Sequence, residues 1–390
     1  MKILMVTPYF PPYTGVGGLR MGSLAKFLLK SGNSLTVVKM GDANSHVGTT
    51  DDTPISDISY VEFSEGQNYK ESVLRLRSAL DNLAASTSFD CCLVSCGPYY
   101  TLEPVLRLWE HYRIPFMIDY RDLWLYDPRP VTTLRMFLGN QKRRLLYSRL
   151  EKRVLDACSA FSTCTPRCLQ IMLDHYPSII EKSFCIFNGY DFPKETTASF
   201  RSDYSEKQEI QICILGKLTY YSPHGAEVFF LAVSSLIKKG YPIQVIRAGG
   251  TESMEEIFQK TGFSQEHFKD LGQLPYEEAI AVAASSRICT AVISYTIGLG
   301  TKIFDYIYLN KPIVAYAPKH SEFEEVLSET KNAFVCQSVE QMASAIETII
   351  TDHRLTLTDH VEFVERFSRE DQNKKFLEIL TEISRKGNCR

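Results

Sequence analysis

Short, continuous apolar runs alternate with longer amphipathic stretches along most of the chain, and this alternation limits the possible folds most strongly. The first apolar runs lie at residues 2–6, 35–40, 91–95 and 116–119, with helical patterns such as 22–30 and 71–85 between them. Strands that are apolar on both faces and separated by helices are typical of parallel sheets covered by helices on each side. The sequence therefore predicts an α/β fold with doubly wound sheets.

The same pattern begins again near residue 210. Apolar runs at 210–215, 243–248, 290–294 and 313–317 are separated by helical patterns at 226–239, 279–285 and 302–309. Residues 188–193 and the polar stretch up to residue 208 form the best candidate for a linker. We therefore expect two Rossmann-like domains, 1–190 and 191–360, that face each other across a cleft. C-terminal helices at 361–390 follow, and they can cross back to the first domain.

Composition excludes several classes of protein. The 390 residues are 44% hydrophobic and 23% charged with a formal net charge of −3, which is typical of globular proteins and argues against nucleic-acid binding. No apolar run reaches the ~20 residues that span a bilayer, and the opening run is too short for a signal peptide. The eleven cysteines lack the paired spacing of a zinc site. We expect reduced thiols in a cytoplasmic protein without a metal.

Ligands in such sheets bind beyond the carboxyl ends of the strands, so the loops after the strands are the candidate site. The loop after the first run contains Gly17 and Gly18, but Arg20 stands where a dinucleotide fingerprint needs glycine. This loop is either an anion site at the start of a helix or a simple tight turn. Asp119, Arg121 and Asp122 close the run at 116–119, as site residues or as an internal salt bridge.

Two loops of the second half combine glycine with lysine. After the run at 210–215, Gly216 lets a phosphate approach the backbone and Lys217 can neutralise its charge, although an exposed lysine is the simpler interpretation. Asp305, one turn into the helix at 302–309, can accept hydrogen bonds from sugar hydroxyls or only compensate the helix dipole. The amides before that helix can bind anions, and they belong to Gly298, Leu299, Gly300, Thr301 and Lys302.

Taken in their order, these segments resemble glycosyltransferase family four, a family of retaining enzymes with the GT-B fold. The chain is most similar to the branch that builds bacterial surface polysaccharides. The similar segments are the opening strand with its Gly-Gly loop at 1–38, Arg-Asp-Leu-Trp at 121–124, Asn-Gly-Tyr-Asp at 188–191, Gly-Gln-Leu-Pro at 272–275, and residues 301–312. They run from the first residue to about residue 320.

The resemblance implies a hexosyltransferase that moves a sugar from a nucleotide sugar, with a UDP-sugar as the expected donor, to a lipid-linked or saccharide acceptor. The product would belong to lipopolysaccharide O-antigen, capsule or exopolysaccharide. No cofactor or metal is expected, because lysines and amides can stabilise the departing diphosphate. The resemblance implies an acceptor side with Asp119, Arg121 and Asp122. It implies donor contacts from Gly17, Gly18, Gly216, Lys217, His224, Gly298, Leu299, Gly300, Thr301, Lys302 and Asp305.

The chain departs from the family at two positions. His224 stands where the family has a second lysine, which predicts a weaker or pH-dependent hold on the diphosphate. Ile297 stands where the family has the first of two glutamates, so a usual contact with the donor sugar is lost. Two alternatives stay open: a sugar-nucleotide epimerase of the same fold, and a non-catalytic binding or scaffold protein.

Residues 129–153 carry eight Lys or Arg and one Glu, a net charge of +7, with leucines between the cations. A basic amphipathic helix can lie on an anionic membrane surface, where lipid-linked acceptors are found. The alternative is a solvated helix face whose apolar residues belong to the core. The membrane interpretation predicts a peripheral protein on the inner face of the membrane.

Overall fold

The computed structural model describes residues 1–13, 15–41, 55, 57–129, 131–191, 209–352 and 361–388. The chain divides into two compact units, one formed by Met1–Asp191 with Arg369–Arg390 and the other by Phe192–Ser368. Most of the predicted linker, residues 192–208, lies outside the described residues.

The first unit is built on a seven-stranded sheet in the order β3-β2-β1-β4-β5-β6-β7, with every described pair of strands parallel. Its strands are β1 (Lys2–Val6), β2 (Ser34–Met40), β3 (Ile58–Phe63), β4 (Cys91–Cys96), β5 (Phe116–Tyr120), β6 (Ala160–Thr163) and β7 (Ser183–Cys185). Its helices are α1 (Val16–Lys30), α2 (Tyr69–Ser86), α3 (Leu102–Tyr112), α4 (Leu134–Ala157), α5 (Pro166–His175) and α13 (Arg369–Asn388).

The core of this unit joins the two ends of the chain. β1, β4 and β5 are buried almost completely, as their continuous apolar runs predict. Leu24 and Leu28 of α1 pack on the sheet together with Phe376 and Leu380 of α13. The helix α13, which follows the second unit in sequence, thus completes the hydrophobic core of the first.

The second unit has a six-stranded parallel sheet in the order β10-β9-β8-β11-β12-β13. Its strands are β8 (Ile210–Leu215), β9 (Ile243–Ala248), β10 (Phe268–Asp270), β11 (Ile288–Val292), β12 (Ile313–Tyr316) and β13 (Ala333–Cys336). Its helices are α6 (Pro223–Lys238), α7 (Glu255–Thr261), α8 (Tyr276–Ser285), α9 (Lys302–Tyr308), α10 (Glu322–Ser328), α11 (Val339–Thr351) and α12 (Val361–Glu365).

The short segment around α12 belongs to the second unit, whereas the sequence grouped it with the C-terminal helices at 361–390. The reason is aromatic packing: the Phe367 ring lies 5.0 Å from the Phe304 ring and 5.2 Å from the Phe363 ring. Burial of three rings holds this segment against α9.

The predicted fold class is confirmed: both sheets are parallel and carry helices between their strands. Because the strands are parallel, the loops that follow them lie at one edge of each sheet. In the described part of the chain, no helix combines the length and the hydropathy needed to cross a bilayer.

Candidate functional site

The strand order of the second unit reverses at β8, which lies between β9 and β11. The switch point lies between β8 and β11, and a crevice forms there beyond the carboxyl ends of these two strands. The loop from Gly216 follows β8 and the loop that leads to Lys302 follows β11. The topology therefore places the two glycine- and lysine-containing loops side by side.

Lys302 and Gly216 are in direct contact across these loops. The Lys302 Nζ donates a hydrogen bond to the Lys217 carbonyl oxygen at 3.0 Å. Gly216 has a φ of +66°, and a Cβ at this position would lie 2.8 Å from Lys302 Nζ. The positive φ therefore favours glycine at this position, and the missing Cβ leaves room for the Lys302 ammonium group.

The two lysines form a compact cationic site. Burial lowers the pKa of Lys302 to about 8, and repulsion from Lys217 acts in the same direction. The Lys217 ammonium lies 4.7 Å from the centre of the Tyr220 ring, and the Lys302 ammonium lies 4.9 Å from that of Tyr221. Two lysines on neighbouring loops at a switch point favour an anionic ligand.

A cavity runs between the two loops. Its wall includes Phe323 of α10 and residues from the β8 loop and from the loop and helix after β11: Lys217, Leu218, Tyr221, Tyr295, Gly300, Thr301 and Lys302. Lys217, Gly300, Thr301 and Lys302 were predicted site residues, and the structure brings them together. Leu299 is buried.

His224 lies apart from this cavity. It occupies the first turn of α6 with 68% of its side chain exposed, 3.9 Å from Glu227 and with its ring edge-on to Tyr316. Its side chain contacts Glu227 and Tyr316, and its share in binding the diphosphate stays a prediction.

The side chain of Glu322 accepts a hydrogen bond from the backbone amide of Gly298. The Gly298 N–H donates to Glu322 Oε2 at 2.6 Å, and Gly298 has a φ of +111°. This corrects the expectation that the Gly298 amide faces the diphosphate, because a buried carboxylate already accepts its hydrogen. The glycine is needed for the backbone conformation of the loop.

Asp305 is buried in α9 and accepts a hydrogen bond from the Tyr276 hydroxyl at 2.5 Å. Tyr276 begins α8, immediately after the Gly-Gln-Leu-Pro turn. Asp305 therefore does more than compensate the dipole of α9, because it also accepts a hydrogen bond from the Tyr276 side chain. The contact of Asp305 with a ribose stays a prediction.

Asp119 has a structural position in the first unit. It lies inside β5, fully buried, and accepts hydrogen bonds from Arg20 Nη2 at 2.9 Å, Arg20 Nε at 3.1 Å and Ser162 Oγ at 2.8 Å. This corrects the prediction that Asp119 lines the acceptor side. The predicted salt bridge exists, but its partner is Arg20 and not the neighbouring Arg121.

Arg121 lies against the glycine loop of the first unit. Its Nη2 donates to the Gly97 carbonyl oxygen at 2.5 Å, and a Cβ on Gly17 would lie 2.0 Å from its Nη1. A Cβ on Gly18 would lie 2.1 Å from the Tyr13 carbonyl oxygen. The contact with the Tyr13 backbone therefore requires glycine at position 18, whereas a side chain at position 17 would displace the flexible end of Arg121. The contact of both glycines with a ligand stays a prediction. Asp122 is exposed.

Comparisons with known proteins agree with this fold. The fold matches sucrose-phosphate synthase from Thermosynechococcus elongatus (TM-score 0.73, 14% identity, 98% of each chain) and a glycosyltransferase from Rickettsia africae (0.70, 14%, 98% of each). It also matches HepE of Anabaena, solved with UDP (0.66, 15%, 98% of this chain and 100% of that one). Residues 209–352 match the family model of group 1 glycosyl transferases.

The second unit is a group 1 glycosyl transferase domain, in a chain with the GT-B fold. The family match spans β8 to α11 and so contains the two-lysine site of this glycosyltransferase. No curated protein matches its sequence.

The glycosyltransferase carries an exposed apolar and basic face on α4. Leu134 is 73% exposed and Leu145 83%, and Leu138 lies on the same side of the helix. Exposed cations flank this stripe at Arg135, Lys142 and Arg149, and no acidic residue occurs from 134 to 150. The alternative, a stripe that belongs to the core, holds only for the end of the helix, where Val154 and Leu155 are buried.

Glu151, one turn before those residues, is a fully buried carboxyl group. It accepts hydrogen bonds from the Tyr176 hydroxyl at 2.7 Å and the Tyr120 hydroxyl at 3.1 Å. Burial raises its pKa to about 7, although both hydrogen bonds act in the opposite direction.

Sequence reasoning missed three residues that make hydrogen bonds around the two-lysine site: Tyr276, Glu322 and Glu252. Glu252 Oε1 accepts hydrogen bonds from the amides of Leu218 at 2.5 Å and Thr219 at 3.2 Å, and so fixes the loop after β8. Each contact joins residues more than twenty positions apart, and no local pattern signals it. In the described ranges, no group of three His, Cys, Asp or Glu side chains is placed to hold a metal ion.

Proposed function

We propose that this glycosyltransferase transfers a sugar from a UDP-sugar to a lipid-linked or saccharide acceptor in the synthesis of a surface polysaccharide. We further propose that it retains the anomeric configuration, needs no metal, and works as a peripheral protein at the inner face of the membrane. The observation that carries the donor part is the pairing of Lys217 and Lys302 around Gly216 at the switch point.

The chemistry of this pairing suits the departure of a nucleoside diphosphate. Negative charge grows on the leaving diphosphate as the bond to the sugar breaks, and ammonium groups that are already in place stabilise it without reorganisation. Lys217 is exposed and can swing from the Tyr220 ring to a phosphate, while Lys302 is held by the Lys217 carbonyl oxygen. Asp305, held by Tyr276, would accept hydrogen bonds from the ribose hydroxyls.

Structural relatives support uridine as the base. HepE of Anabaena shares the fold over 98% of this chain and has been solved with UDP and with UDP-glucose. The identity of 15% leaves the choice of the sugar to experiment.

The exposed face of α4 supports a lipid-linked acceptor. A leucine stripe flanked by cations can enter the headgroup region of an anionic bilayer, with the apolar side chains buried and the cations near lipid phosphates. An enzyme docked in this way meets an acceptor that is confined to the same surface.

A thermal-shift screen of UDP, GDP, CMP and their common sugar conjugates is the first test. A ligand that binds only the folded state raises the melting temperature, and we expect shifts with UDP and at least one UDP-sugar. Incubation with that UDP-sugar and membrane extract should then release UDP and label a lipid-soluble product. NMR of the product gives its anomeric configuration, and a repeat with EDTA tests the need for metal. No shift with any uridine nucleotide, or isomerised donor without transfer, contradicts the proposal.

A further inference from the structure

Glu322 holds the loop after β11 at two points. Its backbone N–H donates to the Thr296 carbonyl oxygen at 2.9 Å, and its Oε2 accepts the Gly298 N–H at 2.6 Å. The residue is only 3% exposed and begins α10, a helix that follows a different strand. A single residue from outside the loop therefore fixes backbone groups on both sides of Ile297.

Two glycines give the loop a backbone that can adopt many shapes. Gly298 adopts a backbone conformation open mainly to glycine, and a Cβ on Gly300 would meet no atom within 4 Å. A loop with two glycines has a large conformational entropy unless hydrogen bonds restrict it. A short hydrogen bond from an amide to a buried carboxylate is among the stronger ones available.

The two ends of the loop differ in the charge of the side chain that contacts them. Lys302, with Lys217 beside it, makes one end cationic, and the carboxylate at Gly298 makes the other end anionic. A diphosphate is attracted to the first end and repelled by the second. The uncharged sugar, whose hydroxyl groups are hydrogen-bond donors, suits the Gly298 end. The contact also brings a carboxylate next to position 297, where the chain has isoleucine.

On the basis of the proposed function, we propose that Glu322 is a positioning residue for the donor sugar. It holds residues 296–300 in the shape that receives the sugar, and it acts on sugar transfer far more than on nucleotide binding.

Three variants test this role. Glu322→Ala removes the acceptor, Glu322→Gln keeps an oxygen that can accept the Gly298 N–H, and Glu324→Ala is the matched control. Glu324 lies on the same helix and also accepts a backbone N–H, that of His320, but it does not contact the glycine loop.

For Glu322→Ala we expect kcat with the UDP-sugar that the wild type uses to fall by about tenfold or more, with the Kd for UDP changed by no more than about twofold. Glu322→Gln should recover most of the activity, and Glu324→Ala should match the wild type. Equal losses of UDP binding and turnover would indicate general loop damage and overturn the proposal, as would wild-type turnover in Glu322→Ala.

Hydrogen exchange of peptides that cover residues 294–302 gives a second readout, which needs no donor. The exchange should accelerate in Glu322→Ala but not in Glu322→Gln or Glu324→Ala, since only the first loses the acceptor of the Gly298 amide. Unchanged exchange in Glu322→Ala would overturn the positioning role. A wild-type protein that binds no uridine nucleotide would instead contradict the proposed function, so the two failures are distinguishable.

Discussion

The Tyr276 hydroxyl donates a hydrogen bond to Asp305 Oδ1 at 2.5 Å and so joins the start of α8 to α9. The contact orients the carboxylate that we propose for the ribose. Tyr276→Phe should therefore weaken binding of UDP and of the UDP-sugar alike, each by about 1 kcal/mol, which calorimetry can measure.

A double-mutant cycle supplies the control for this contact. Asp305→Asn should cost more than Tyr276→Phe, and the double variant should bind UDP about as well as Asp305→Asn alone, because the tyrosine acts through the aspartate. Additive losses would mean that Tyr276 contacts the ligand independently.

The two lysines give a second prediction. Lys217→Ala and Lys302→Ala should each weaken UDP binding by about 1.5–3 kcal/mol, the value of a hydrogen bond to a charged group. Lys238→Ala, an exposed lysine on α6, serves as the control and should leave the Kd unchanged. Wild-type affinity in both site variants would remove the lysines from the diphosphate site.

The lowered pKa of Lys302 predicts a pH dependence of donor binding. At pH 7 the ammonium is charged, whereas at pH 9 most of it is neutral in the free protein, so UDP affinity should fall about tenfold between these pH values. Binding at pH 9 should also take up a proton, which calorimetry in two buffers detects. Lys302→Arg stays charged and should lose this pH dependence. The same slope in both proteins would assign it to another group.

The buried carboxyl group of Glu151 predicts a pH effect on stability. Because the pKa in the folded state is raised to about 7, its contribution is fully present below the pKa of the unfolded chain, near 4.5, and is lost as pH rises through about 7. The loss can reach about 3 kcal/mol of the free energy of unfolding. Urea titrations at pH 5.5 and 8 should show a smaller difference for Glu151→Gln than for the wild type.

The exposed face of α4 gives a prediction on membrane binding. Reversing two cations with Lys142→Glu and Arg149→Glu should weaken binding to anionic vesicles by at least about 2 kcal/mol, since each cation near the surface contributes about 1 kcal/mol. The control reverses Lys26 and Lys30, exposed cations on α1 of the same unit. Equal vesicle binding by the two double variants would contradict the proposed docking face.

Much of the fold could be predicted because its signals are local. The runs at 2–6, 210–215 and 243–248 are strands with those bounds, since continuous apolar residues suffice to mark a buried strand. Short strands such as β6 and β10 were missed, because three or four residues carry too little pattern. The adjacency of Gly216 and Lys302 depends on the strand order, which places β8 beside β11 and which the sequence does not display.

The tertiary contacts of single side chains could not be predicted in the same way. Asp119 was expected at the end of a strand, but the strand continues to Tyr120, and Arg20, 99 positions away, neutralises the carboxylate inside the sheet. Glu322 was not considered for the site, since its contact with Gly298 depends on how α10 packs. Such pairings are decided by tertiary structure, which a single sequence does not display.

The position of α13 at the end of the sequence also determines when the first unit can complete its folding during synthesis. A ribosome synthesises Met1–Asp191 well before Arg369–Asn388, yet Phe376 and Leu380 complete the core of that earlier segment. During synthesis the apolar face of β1 and β4 therefore stays without its cover of α13 while the whole second unit emerges from the ribosome. The nascent chain thus passes through an interval in which the second unit can be complete while the core of the first unit still lacks one of its helices.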